Sequence, residues 1–305
     1  MANTHTTLTS LFNDIADAIR SKTGGTDPIV ANDFPAAIEG ISGGGSDTEW
    51  IGDGNTHIWI SLPDGRTSPR VGVGVSGTVT IDWGDGTAPD TLTGTNAYSV
   101  KFTDVHEYRE AGNYVITLSV SGNIAILGES GYGSYLLGTK MATSASGDQS
   151  SGYRGLIRKV EIGSNVIALW NYAFYNCYAL ENVFIPDGMT TFGSSAFESC
   201  YSLATAVIPD GTTSLQSNMF SACYCLTSVV VPHSVNSIAL QAFQNCRTVA
   251  YYDFTMHTIV PTISSTSAFR NLSVGCQIRV PAALADEWKA ATNWSTYADY
   301  IVGVI

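Results

Sequence analysis

Six columns of like residues recur through the second half of the chain at a fixed step of 23. Phe174, Phe197, Phe220 and Phe243 form one column, and Leu180, Leu203, Leu226 and Val249 a second. Ala173, Ala196, Met219 and Ala242 precede each Phe, and Leu169, Phe192, Leu215 and Ile238 give a further apolar set. Pro186, Pro209 and Pro232 share a column that Gly163 opens, and Cys177, Cys200, Cys223 and Cys246 share another. A unit this short cannot bury its own Phe and Leu. Stacking on the next unit creates the core, so the period demands a solenoid of short strands and turns. Composition agrees, because 30 Gly, 15 Tyr and only 13% charged residues suit tight turns better than long helices.

Within one unit, Val183-Phe184-Ile185-Pro186 is followed by Ala196-Phe197 and then Cys200-Tyr201-Ser202-Leu203. This pattern resembles the BspA-like leucine-rich repeat family over residues 156–281. The resemblance implies attachment at a cell surface or virion rather than catalysis. Ala268-Phe269 and Cys276 mark a stretched last repeat. Residues 282–305, with Trp288, Trp294 and Tyr297, read as a helical C-terminal cap that hides the last apolar edge. The periodic Cys are expected in the core as free thiols, a common fate of buried Cys. Bridges between coils are the competing reading, and no second Cys or His pair supplies a zinc site.

At the other end, Leu8, Leu11, Phe12, Ile15 and Ile19 form one stripe of a helix over residues 7–21. Thr7 or Thr9 caps it, Gly24-Gly25 ends it, and a second short helix is expected over Asp33–Glu39. So short a segment cannot bury that stripe alone. It docks either on the next domain or, as the Gly/Ser linker at 42–49 favours, on another protein or in a self-trimer. Residues 1–41 are therefore read as the attachment and oligomerisation segment.

Residues 50–122 read as a β-sandwich with its own core, with alternation in His57–Leu62, Val71–Val75, Thr78–Trp83 and Tyr114–Val120. The run Val79-Thr80-Ile81-Asp82-Trp83-Gly84-Asp85-Gly86-Thr87, with His106-Glu107-Tyr108 and Gly112-Asn113-Tyr114-Val115-Ile116-Thr117-Leu118, resembles a PKD domain. The resemblance implies a small immunoglobulin-like sandwich used as a spacer. Trp83 and Tyr114 are expected to fill its core. Asp82 and Asp85 are expected to cap turn amides rather than bind calcium, and His106 to be a sheet residue. Residues 123–155 bridge to the repeats, with strands at Ile124–Leu127 and Tyr135–Leu137 and a loop at Ala142–Gly152.

A net charge of −12, with 14 Lys and Arg and no basic cluster, argues against nucleic acid as a partner. No apolar run is long enough for a membrane helix, and the first ten residues carry no signal-peptide pattern. The five His are scattered, and no nucleophile elbow, metalloprotease motif or phosphate loop is present. No enzyme activity, cofactor or metal is expected. Trp170, Tyr172, Tyr175, Tyr178, Tyr201, Tyr224 and Arg247 occupy repeat positions that vary or display aromatics, and they are the candidate ligand-binding strip. A purely structural tyrosine ladder is the competing reading.

The run from Leu11 to Gly25, followed by Asp33-Phe34-Pro35-Ala36-Ala37-Ile38, resembles the start of tail-associated proteins in phages and prophages of gut Firmicutes. The resemblance implies a receptor-binding tail protein carried on the virion, commonly trimeric, that recognises a bacterial glycan or protein. A bacterial surface adhesin and an accessory module of a carbohydrate-active system are the alternatives.

Overall fold

The structure is a computed structural model and describes residues 50–62, 69–129, 133–134, 136–137 and 155–305. The helix stripe of Leu8, Leu11, Phe12, Ile15 and Ile19, the linker and the Ala142–Gly152 loop lie outside the described residues. The described part is mainly β.

The first strands are β1 (Thr56–Leu62), β2 (Gly72–Asp82), β3 (Asp90–Phe102), β4 (Gly112–Val120) and β5 (Asn123–Ile126). Alternation places Ile58, Ile60, Leu62, Val73, Val75, Val79, Ile81, Ile116 and Leu118 inward. The two short strands expected at Val71–Val75 and Thr78–Trp83 are halves of one strand, β2. Its first half pairs with β5 and its second half with β4, while β3 runs along both halves. The register slips between Gly74 and Val75, where a Cβ on Gly74 would fall 1.7 Å from the Ala97 carbonyl oxygen. Only glycine permits that approach.

Trp83 is fully buried, and its indole N–H donates to Asp90 at 2.9 Å. Tyr114 is only half-buried and leans on Tyr108, whose hydroxyl donates to the Trp83 carbonyl at 2.8 Å. Asp82 and Asp85 accept the Gly84 and Thr87 amides, as turn-capping carboxylates do. His106 is not a sheet residue. It lies between β3 and β4, stacks on Trp83 at 4.3 Å, and meets Asp85 at 2.8 Å.

A small hairpin of β6 (Gly128–Glu129) and β7 (Gly133–Ser134) precedes the repeats. Their strands are β8 (Ile157–Glu161), β9 (Val166–Leu169), β10 (Asn182–Phe184), β11 (Ser214–Leu215), β12 (Ser228–Val230), β13 (Ser237–Ile238), β14 (Tyr251–Asp253), β15 (Thr262–Ile263), β16 (Gln277–Pro281) and β17 (Ile301–Val304). They pair in parallel, one coil to the next. A first ladder includes β8·β10 and β12·β14·β16·β17, and a second includes β11·β13·β15. The step is the sequence period: Val183 pairs with Val160 and Tyr252 with Val229.

The turn side of each coil supplies a third ladder without strands. The amides of Tyr172, Phe174 and Asn176 donate to the carbonyls of Ser194, Ala196 and Glu198 in the next coil, at 2.9, 2.7 and 2.9 Å. Tyr172, Ser195, Asn218 and Gln241 hold φ between 57° and 61°, and Asn176, Ser199, Ala222, Asn245 and Asn271 between 60° and 65°. Left-handed backbone at these two positions accompanies amides aimed along the stack.

Between the ladders the Phe column stacks. Phe174–Phe197, Phe197–Phe220, Phe220–Phe243 and Phe243–Phe269 stand 5.3, 5.3, 5.6 and 5.4 Å apart, all near parallel. The last step keeps this spacing despite its longer sequence interval.

Strands β1–β5 and the repeats are not separate bodies. β1 pairs antiparallel with β8, and β5 pairs in parallel with β9. One sheet therefore runs β10-β8-β1-β4-β2-β5-β9. One apolar cluster extends from Ile58 to Ile301, and Gly52–Ile305 forms a single compact unit. The expectation of a sandwich with its own core gives way to a shared one.

At the C-terminal end, α1 (Ala285–Ala290) sets Trp288 5.0 Å from Phe254. A following 3-10 turn, Trp294–Tyr300, sets Trp294 and Tyr297 against Phe269 at 5.5 and 5.6 Å.

Candidate functional site

Tyr178, Tyr201, Tyr224 and Arg247 each follow a buried Cys. The Cys side chain anchors the position: Cys200, Cys223 and Cys246 donate to the carbonyls of Phe174, Phe197 and Phe220 in the preceding coil. With Cys pinned inward, the next side chain points out. Its own carbonyl is held as well, since the Ser202 amide donates to Tyr178 and the Cys225 amide to Tyr201.

The resulting edge is ordered. Tyr201 and Tyr224 stack at 4.9 Å and 14°. The Arg247 guanidinium lies 5.9 Å from the Tyr224 ring centre. Both tyrosines are about 40% exposed, although each ring is partly covered by its stacked neighbour. Among the described residues no carboxylate pairs with Arg247. Its forked N–H donors are available to an anionic or carbonyl-bearing ligand.

Tyr178 sits apart in environment. A Cβ on Gly155 would fall 2.4 Å from its hydroxyl oxygen, so its ring lies directly over the Gly155 backbone. Trp170 meets a residue that sequence reading missed: Tyr98 of β3, edge-on at 5.3 Å, with both rings well exposed. No repeat column flags Tyr98, because it lies in β3, outside the repeats. Tyr172 and Tyr175 pack edge-on at 5.6 Å and are half-buried.

The variable columns are thus not uniformly surface. In the Tyr172 column Ser195 is buried, and in the Tyr175 column Ser221 is buried. Residue type varies in the first because left-handed backbone, not a common side chain, is what the position requires. Among the described residues no ring contact joins Trp170, Tyr172 or Tyr175 to the Tyr201–Tyr224 stack. The single strip expected from sequence divides into four groups: Trp170, Tyr172 with Tyr175, Tyr178, and Tyr201 with Tyr224 and Arg247.

A further exposed column, Phe184, Val207 and Val230, runs along the first ladder. The alternation buried, exposed, buried at Val183-Phe184-Ile185 is the signal that points to it.

Two His–carboxylate pairs complete the chemistry. His57 bridges Asp53 at 2.8 Å and Thr117 at 3.0 Å, and His106 meets Asp85. The hydrogen bond from His57, aided by the Asn55 amide, holds the Asp53 carboxyl down at about 2. The His57 ring is almost wholly buried, so this chain of contacts ties a turn to β1 and β4. Among the described residues no cluster of His, Cys, Asp or Glu has the makings of a metal site. Among the same residues no helix is long and apolar enough to cross a membrane.

Residues 151–274 match the BspA type leucine rich repeat region, in six copies. Among solved structures, a leucine rich cell surface protein from Faecalibacterium prausnitzii is 25% identical over 39% of this chain and 34% of its own, with a TM-score of 0.34. A leucine rich repeat protein of T. pallidum is 22% identical over 40% of this chain and 71% of its own, with a TM-score of 0.31. The chain thus spans about a third of the first of these structures. No curated protein matches it.

Proposed function

We propose that this chain is a non-enzymatic receptor-binding protein of a phage tail, attaching to a bacterial surface through its leucine-rich-repeat solenoid. The single observation that carries the reading is the exposed Tyr201–Tyr224 stack with Arg247 at its end. Stacked aromatics present rigid contact area at low entropic cost, and Tyr and Arg dominate the energetics of recognition surfaces. The BspA-type repeat supplies the frame that sets their spacing. In this reading the PKD-type sandwich is a spacer and the C-terminal residues cap the solenoid. Residues 1–41, through Leu8, Leu11, Phe12, Ile15 and Ile19, join other tail proteins or a self-trimer. The partner is a surface glycan or protein, with no cofactor, and the protein acts from the virion.

The test is binding to intact host cells by the protein and by a variant carrying Tyr201→Ser, Tyr224→Ser and Arg247→Ser. All three residues are well exposed, so the fold should hold, since exposed substitutions cost within about 0.5 kcal/mol each. Binding should fall at least tenfold. A folded variant that binds like the parent removes the edge from recognition. Antibody against the repeats that labels cells but never virions supports a cellular adhesin instead.

A further inference from the structure

The stack of coils ends differently on its three sides. On the second ladder, Asn293 donates to the Ile263 carbonyl at 2.8 Å and Trp294 to the Pro261 carbonyl at 2.7 Å. On the turn side, the Phe269 amide donates to the Tyr297 hydroxyl at 3.1 Å. Side chains of the C-terminal segment thus satisfy the last backbone groups on both sides. The first ladder has no such closure. It ends in β17, which pairs only with β16. Among the described residues nothing donates to or accepts from its far edge.

An open strand edge is a template for another strand, and proteins usually blunt it with Lys, Pro or a bulge. β17 has none of these. It reads Ile301-Val302-Gly303-Val304, without charge, and Val302 and Val304 stand about 40% exposed on the ladder's outer face. The opposite end of this ladder is closed by an antiparallel strand, β1 on β8. The sheet therefore accepts an antiparallel closing strand at the end that is sealed.

We propose that β17 is a self-association edge, paired antiparallel with β17 of a second copy of this chain about a twofold axis near Gly303. Self-complementarity is what selects a second copy over a foreign strand. Antiparallel self-pairing about Gly303 sets Val302 opposite Val304 of the other copy, Val on Val, with no like charges opposed. Gly303 adds no side chain at the axis. The pairing completes the hydrogen-bond ladder on the one side that the C-terminal side chains leave open. It is an interface separate from the receptor-binding edge and from residues 1–41. Four residues form a short edge, below the ~1,000 Å² of durable interfaces, so the association is concentration-dependent.

Sedimentation equilibrium of the full chain across a concentration series tests this. A Val302→Lys, Val304→Lys variant sets like charges opposite one another and should have half the parent's limiting mass. A Val302→Glu, Val304→Glu variant should behave the same way. Mixing the two should restore the parent mass, an outcome that unfolding cannot imitate. Hydrogen exchange on the unaltered protein is the independent check: the outward amides of β17 should slow as concentration rises. An unchanged mass in the Lys variant, or β17 exchange independent of concentration, overturns the proposal.

Discussion

The thiol of Cys223 donates to the carbonyl oxygen of Phe197 at 3.2 Å, across the coil boundary. The same bond recurs from Cys200 to Phe174 and from Cys246 to Phe220. Cys is small enough for the core and still offers one weak donor there. A thiol used this way is reduced, and all six Cys are free in the structure.

Thiol reactivity follows from that arrangement. Burial pushes the Cys246 thiol up to about 12 and the Cys276 thiol up to about 11, and raises Cys200 and Cys223 as well. These groups stay protonated and shielded at about pH 8, below the ordinary thiol range, and the thiolate is the reactive form. Only Cys225 is exposed. A thiol reagent should titrate one group in the native protein and all six after denaturation without reductant. Two or fewer in the denatured protein would mean bridges between coils.

Replacing Phe220 by Ala should destabilise strands β1–β5 together with the coils. The ring is fully buried between Phe197 and Phe243, and truncation leaves a cavity worth about 3–5 kcal/mol. The β1·β8 and β5·β9 ladders bond the first five strands to the first coil, so losing the coils exposes the edges of β1 and β5. Amide exchange should accelerate in β1 and β4 as well as around Phe220. Unchanged protection in β1 and β4 would restore the view of independent modules.

The repeat period was legible because its core columns recur residue by residue, and the Phe stack follows from them. The pairing of β1 with β8 was not, because nothing local to Thr56–Leu62 encodes a partner about a hundred residues away. The long β3 also escaped notice. Its run DTLTGTNAYSVKF buries only Leu92 and Ala97, which leaves no alternation to read. In the candidate site, the spacing of Tyr201 and Tyr224 was legible from the repeat. The left-handed turn positions were hidden by their varied residues, since backbone geometry selects them rather than a side chain.

Those positions make a stability prediction. Ala222 holds φ at 60° with no side chain able to bond locally. Left-handed backbone costs a Cβ-bearing residue about 1–2 kcal/mol, while Gly carries an entropic cost of about 0.5–1 kcal/mol. Ala222→Gly should therefore stabilise the protein by roughly 0.5–1 kcal/mol. Ala222→Val should destabilise it, because a β-branched side chain fits this conformation worst. Chemical denaturation of both variants checks the order. A less stable Gly variant would show that the intercoil amide bond of Ala222 does not demand this backbone.

Left-handed backbone likewise marks Tyr172 as a turn residue, distinct from the proposed binding aromatics. Tyr172 holds φ at 61°, and its amide donates to Ser194 in the next coil. Asn tolerates left-handed backbone better than Tyr does, and Asn218 already stands two coils along in this column. Tyr175 packs on Tyr172 rather than on the exposed Tyr201–Tyr224 stack. A Tyr172→Asn, Tyr175→Gln variant should therefore fold with stability within about 1 kcal/mol of the parent, a little turn strain relieved against a lost ring pair of about 0.5–1.5 kcal/mol. Host-cell binding by this variant should stay within about twofold, less than 0.5 kcal/mol. A loss as large as that from Tyr201→Ser with Tyr224→Ser would extend the contact surface across the turn side of the first coil. Recognition would then spread over the several aromatic groups instead of residing in one stacked edge.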